Sequence, residues 1–195
     1  MAIKVFGLAT SPRRGGNTEL LLDEVLRGAE EKGAVVEKVR LSDLEVAPCA
    51  EYEVCYKTGK CVIRDDFDML LEKFIETDRL VFAAPIFFMG LPAQAKAVVD
   101  RIQCLWARKH VLKKPLYTEP RKVLRKALFV SVGGTHTPRL FDCALRSLHY
   151  FLETLEMELA GSVTFPGMDE KGAILKHPTA MQEAYEQGAA LVERD

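Results

Sequence analysis

Apolar and polar positions along the chain follow two alternating rhythms. Ile3 to Ala9 is a short apolar run closed by turn residues, and Thr18 to Ala29 then sets Leu21, Leu22, Val25, Leu26 and Ala29 at helical spacing. This predicts a strand feeding a helix. The alternation returns with Val35 to Leu41 as a strand, Phe67 to Ile75 as a helix, Leu80 to Ala84 as a strand and Ala93 to Trp106 as a helix. Residues 107–124, with Pro115, Pro120 and many charges, interrupt it as a long excursion. Ala127 to Val132 predicts a fourth strand. Leu140, Phe141, Ala144, Leu145, Leu148, Phe151, Leu152 and Leu155 then fall on one face of a long helix. Leu159 to Phe165 and Ala180 to Leu191 close the series as a strand and a helix. Five strands alternating with five helices predict an α/β fold of three layers, because parallel strands need crossovers and right-handed crossovers cover both faces of the sheet.

In such a sheet ligands gather beyond the carboxyl ends of the strands, which directs attention to the loops after Ala9, Ala84 and Val132. The first reads GLATSPRRGGNT. Gly15 and Gly16 let backbone approach an anion, Ser11, Asn17 and Thr18 offer short donors, and Arg13 and Arg14 add positive charge at the start of a helix. It matches neither the nucleoside-triphosphate loop nor the dinucleotide fingerprint, and a polar strand-to-helix turn is the plainer alternative. The second loop, PIFFMGLPAQAK, is stiffened by Pro85 and Pro92 and sets Ile86, Phe87, Phe88 and Met89 where a planar ring or a neighbouring subunit could cover them. The third, SVGGTHTP, brings Gly133 and Gly134, with His136 read as a surface residue.

Length and composition narrow the classes. The 195 residues suit one domain, and a formal charge of −1 gives no reason to expect a nucleic-acid or membrane partner, despite basic stretches at Arg108 to Lys114 and Arg121 to Lys126. No segment resembles a cleaved leader or a membrane span, so a cytoplasmic location is expected, and the five cysteines read as thiols or metal ligands before disulfides.

SPRRGGNT, APIFFMGLPAQAKAVVDR and VGG, in this order, resemble the flavodoxin-like NAD(P)H-dependent FMN reductases, in particular their iron-sulfur flavoprotein branch. The resemblance runs nearly end to end. It implies a flavodoxin-like three-layer α/β/α domain over residues 1–195 with FMN as cofactor. It carries the FMN phosphate to Ser11, Arg13, Asn17 and Thr18, and the isoalloxazine edge to Pro85, Ile86, Phe87, Phe88, Met89 and Gly90. The other ring edge falls to Ser131, Gly133 and Gly134. Family members often have tyrosine where Phe87 or Phe88 stands, so a hydroxyl contact is absent here. The implied activity is an FMN-dependent oxidoreductase fed by NAD(P)H or ferredoxin and passing electrons to a small acceptor. The alternative is a flavodoxin-like electron carrier or binding module, serving a redox protein partner without substrate turnover of its own. No catalytic side chain is nominated. The resemblance also implies a homodimer or homotetramer in which a neighbour covers part of the flavin.

The stretch CAEYEVCYKTGKC adds a second question. In the iron-sulfur flavoproteins this loop runs C-x2-C-x2-C with a fourth cysteine a few residues on, and four thiolates hold a [4Fe-4S] cluster. Cys49, Cys55 and Cys61 align with the first, third and fourth, whereas Tyr52 stands at the second. The expectation leans toward a loop that has lost its cluster, with a three-ligand site as the alternative. Cys104 and Cys143 read as buried small apolar residues of helices rather than as ligands.

Overall fold

The structure, a computed structural model, describes residues 2–117 and 123–193. Strands β1 (Lys4–Ala9), β2 (Val35–Arg40), β3 (Arg79–Ala83), β4 (Lys126–Val132) and β5 (Glu158–Phe165) form one parallel sheet in the order β2-β1-β3-β4-β5. Side-chain alternation along each inner strand divides the core between the two faces. Phe6, Leu8, Leu80, Phe82, Ala127 and Phe129 pack under α3 (Phe67–Glu76), α4 (Ala93–Arg101) and α6 (Asp142–Thr154). Val5, Ala9, Val81, Ala83, Leu128 and Val130 pack under α1 (Asn17–Glu31) and α7 (Ala180–Leu191). This is the flavodoxin-like three-layer arrangement. Direction of travel across the sheet reverses between β1 and β3, where a cleft opens at the carboxyl edge.

On the second face α1 and α7 approach closely through glycines. A Cβ on Gly28 would lie 2.1 Å from the Tyr185 carbonyl oxygen, and one on Gly188 would lie 1.9 Å from that of Val25. Helices that close have no room for any larger residue at the crossing. On the first face Phe151 meets Phe74 and Phe82 edge to face, with centroids 5.4 and 5.6 Å apart.

The helix expected over Ala93 to Trp106 is two pieces. α4 ends at Arg101, α5 (Gln103–Trp106) follows, and a π-helical turn carries on over Ala107–Val111 into the segment read as an excursion. Cys104, Leu105 and Ala107 are buried here, so core packing holds the chain helical past the point where apolar spacing fades. Residues 118–122 of that excursion, with Pro120 and Arg121, lie outside the described residues. A short helix, α2 (Val54–Thr58), sits within the cysteine loop and is too brief for periodicity to reveal. Among the described residues no helix is long and apolar enough to cross a membrane.

Candidate functional site

Four strand-end loops converge on the reversal point. Thr10 donates its hydroxyl to the Ala83 carbonyl at 3.0 Å, which fixes the exit of β1 against β3. Gly15 then takes φ +60°, a left-handed turn suited to glycine, and its N–H donates to Glu19 Oε2 at 2.8 Å. Gly16 is the N-cap of α1 and brings no side chain to cap it, so the first amides of a fifteen-residue helix face the cleft uncapped. Ser11 and Thr18 are buried beside them. Glu19 is only 7% exposed and is held by Arg40 at 2.6 Å and Lys38 at 3.3 Å. Burial alone would raise its pKa, but the Gly15 N–H, Lys38 and Arg40 more than offset this and hold it below the ordinary carboxylate value.

The segment after β5 closes the cleft from the far side. Asn17 donates to the Met168 and Glu170 carbonyls at 3.1 and 2.8 Å and accepts from the Gly172 N–H at 2.8 Å. Its amide therefore braces one loop against the other instead of pointing at a ligand. Arg13 reaches the Asp169 carbonyl at 3.1 Å, and Arg14 turns away to pair with Asp43. Lys171 brings its ammonium over the glycine turn, 4.0 Å from where a Gly15 Cβ would stand.

The second loop is anchored by the Ile86 N–H, which donates to the Val132 carbonyl at 2.8 Å. Beyond it Phe87 and Gly90 exchange both backbone hydrogen bonds at 3.0 Å, with Phe88 at φ +47° and Met89 at +65°. Positive φ at both central positions is the type I′ hairpin geometry, and with two bulky residues there it is strained. Phe88 at the tip is fully exposed.

Ser11, Arg13, Asn17, Thr18, Pro85, Ile86, Phe87, Gly133 and Gly134 line one cleft together with Met168, Asp169 and Lys171. Phe88, Met89 and Gly90 stand outside it on the hairpin, and Ser131 is wholly buried, its hydroxyl donated to the Ala84 carbonyl at 2.7 Å. The cleft encloses about 70 Å³, far below the roughly 300 Å³ of a typical small-molecule pocket. That volume holds a phosphate-sized group, and anything larger must extend over the surrounding loops. Met168, Asp169 and Lys171 escaped sequence reasoning. The signal available for them was position: GMDEKG follows β5 directly, another loop at the carboxyl edge.

A second, larger cavity of about 400 Å³ lies in the loop that follows β2. The loop's two ends are tied together. Arg101 donates to the Ala47 carbonyl at 2.8 Å, the Ile63 carbonyl at 3.2 Å and both oxygens of Asp65, while Asp65 accepts the Ala47 N–H and Asp66 the Glu45 N–H. Burial works against the charge on Arg101, but Asp65 and Cys61 more than offset it. Inside the loop α2 ends on Gly59 at φ +70° and rests on α5, with Tyr56 edge to face with Trp106 and accepting from Gln103 Nε2 at 2.9 Å. Cys49, Cys55 and Cys61 line the cavity, and so does Cys104 from α5. Tyr52 stands 64% exposed at the rim, and Cys143, expected to be buried, is exposed elsewhere on α6, on the face turned away from the sheet.

The family described as NADPH-dependent FMN reductase matches residues 3–166. An iron-sulfur flavoprotein of Methanosarcina thermophila is 38% identical over 159 residues, covering 82% of this chain and 78% of that protein. One from Methanocaldococcus jannaschii is 41% identical over 99 residues, a match spanning 51% of this chain and about half the length of that relative, 51%. Among solved structures a flavone reductase superposes over 97% of this chain and 62% of its own, with a TM-score of 0.71 at 22% identity. An NAD(P)H:quinone oxidoreductase from Methanothermobacter marburgensis does so over 100% of both chains, with a TM-score of 0.67 at 16% identity. At those identities the structural likeness speaks for the fold.

Proposed function

Because the chain belongs to the NADPH-dependent FMN reductase family, we propose that it is an FMN-dependent oxidoreductase that takes electrons from NAD(P)H and passes them to a small acceptor. The observation that carries this reading is the uncapped N-terminus of α1, opening between β1 and β3 into a cleft of phosphate size. When bound, FMN supplies hydride and one-electron chemistry, and the protein's task is to hold it and control access. The α1 amides, Ser11 and Thr18 donate to the phosphate, and Arg13 and Lys171 balance its charge. Asn17 positions that set by bracing the loop after β5. Pro85, Ile86 and Phe87 from one loop and Gly133 and Gly134 from another would hold the flavin ring. Backbone amides at its edge favour the more negative reduced flavin.

Since the cleft holds only the phosphate end, the ring depends on further cover. A second copy of this chain supplies it by docking on the exposed hairpin of Phe88 and Met89. The assembly is a homo-oligomer working in the cytoplasm, and a monomer in light scattering of FMN-loaded protein would contradict the docking. The activity is tested by adding NADPH or NADH anaerobically to FMN-loaded protein. Direct bleaching of the flavin absorption is expected with at least one of the two. Bleaching only after a separate reductase is added would make the protein a carrier and overturn the reading.

A further inference from the structure

Residues Cys49, Cys55 and Cys61 are three of the four thiols that a [4Fe-4S] cluster needs, since each iron of the cube takes one outer ligand. The fourth position along the loop is Tyr52, 64% exposed at the rim. The structure brings another thiol to the same space. Cys104, in the first turn of α5 and 2% exposed, lines the cavity of about 400 Å³ together with the three loop cysteines. We propose that Cys104 replaces the missing loop cysteine, so that Cys49, Cys55, Cys61 and Cys104 hold a [4Fe-4S] cluster in the cavity between the cysteine loop and α5. This rests on the kinship with iron-sulfur flavoproteins and is independent of the FMN cleft.

Three features of the cavity support it. First, the donor set fits a cluster. Four thiols and no histidine line the cavity, the all-sulfur donor set that iron-sulfur clusters take. The thiolates of a cube bind separate irons and need not converge. Second, Arg101 is fully buried against this wall, and its Nε has no hydrogen-bond partner among the described residues. The rest of its guanidinium clamps the loop ends. Its charge, beside Cys61, offsets the negative charge that four thiolates and their cluster bring into the cavity. Third, Cys104 is buried from solvent yet lines the cavity, so its sulfur faces the same space as the three loop thiols. Each thiol gives up its proton as its sulfur takes a metal.

The loop is also shaped before any cluster arrives. Asp65, Asp66 and Arg101 close its ends, and Tyr56 and Gln103 set α2 on α5, which fixes Cys55 relative to Cys104. The ligand set therefore spans two elements, three thiols from a loop and one from a helix.

The test is anaerobic reconstitution of the full chain with ferrous iron and sulfide, reading iron, acid-labile sulfide and broad visible absorption, with FMN binding measured on the same samples. Wild type is expected to take up about four irons and four sulfides per chain. Cys104→Ala should fall to less than about a quarter of that, Tyr52→Phe should load like wild type, and Tyr52→Cys placed in the Cys104→Ala background should regain the cluster. Cys104→Ser serves if the alanine variant does not fold, and should lose iron in the same way while keeping FMN. Wild type that binds FMN but no iron, Cys104→Ala that loads fully, or Tyr52→Phe that loses its iron would each overturn the assignment. A protein that takes up iron but no FMN would instead count against the proposed flavin site.

Discussion

Asn17 stands in a loop that reads from sequence as a phosphate cradle, yet its side chain faces partners 151, 153 and 155 residues away. No local pattern carries that information, so sequence reasoning could place the residue at the site without finding its task. Ser131 is a similar case: the family resemblance implies a ring contact for it, whereas its hydroxyl is donated to the Ala84 carbonyl. Lys171 and Cys104 show the reverse, residues with no motif of their own that folding delivers to a cavity wall. Asn17→Ala leaves two carbonyls without their donor and one N–H without its acceptor. The FMN-free variant should lose about 2 kcal/mol in urea denaturation, within the cost of stranding buried polar groups. Unchanged stability combined with weaker FMN binding would put the amide on the phosphate instead.

Elements with long apolar faces were legible, and short or broken ones were not. The spacing in α1 and α6 emerges within a residue or two of its observed limits, because each face must match the sheet beneath it. α2 has five residues and no buried face, and the break between α4 and α5 falls at Ile102, buried with Cys104 where no change in the apolar spacing marks it. The junction of α1 with β2 is electrostatic. Glu19 in the first turn of α1 pairs with Arg40 and Lys38 of β2 while receiving the Gly15 N–H. Its pKa is lowered by folding, so its contribution is fully present above its unfolded value and is lost as pH falls through the lower folded one. The stability difference between wild type and Glu19→Gln should therefore be constant near neutrality and shrink as pH drops below 4.5, the ordinary value. A difference that persists or grows in acid, measured by denaturant unfolding across that range, would show that the carboxylate is not what ties α1 to β2.

The whole molecule follows from a simple alternation. Strand, helix and strand repeated five times demand a parallel sheet with two covered faces, so the three layers and the loops worth searching were available from the sequence. The order β2-β1-β3-β4-β5 was not, because nothing in the chain states which strands become neighbours, and that order puts the reversal beside the glycine turn. It also brings the segment after β5 across the cleft, which turns three expected loops into four. The central claim is that this junction holds FMN by its phosphate. Calorimetric titration of FMN and of riboflavin into FMN-free protein, with Arg13→Ala as a third arm, tests it most directly. The account predicts about one FMN per chain, riboflavin weaker by at least about tenfold, and a loss of about 1.5–3 kcal/mol in Arg13→Ala, the worth of a hydrogen bond to a charged group. Equal affinity for FMN and riboflavin, with Arg13→Ala indistinguishable from wild type, would contradict it.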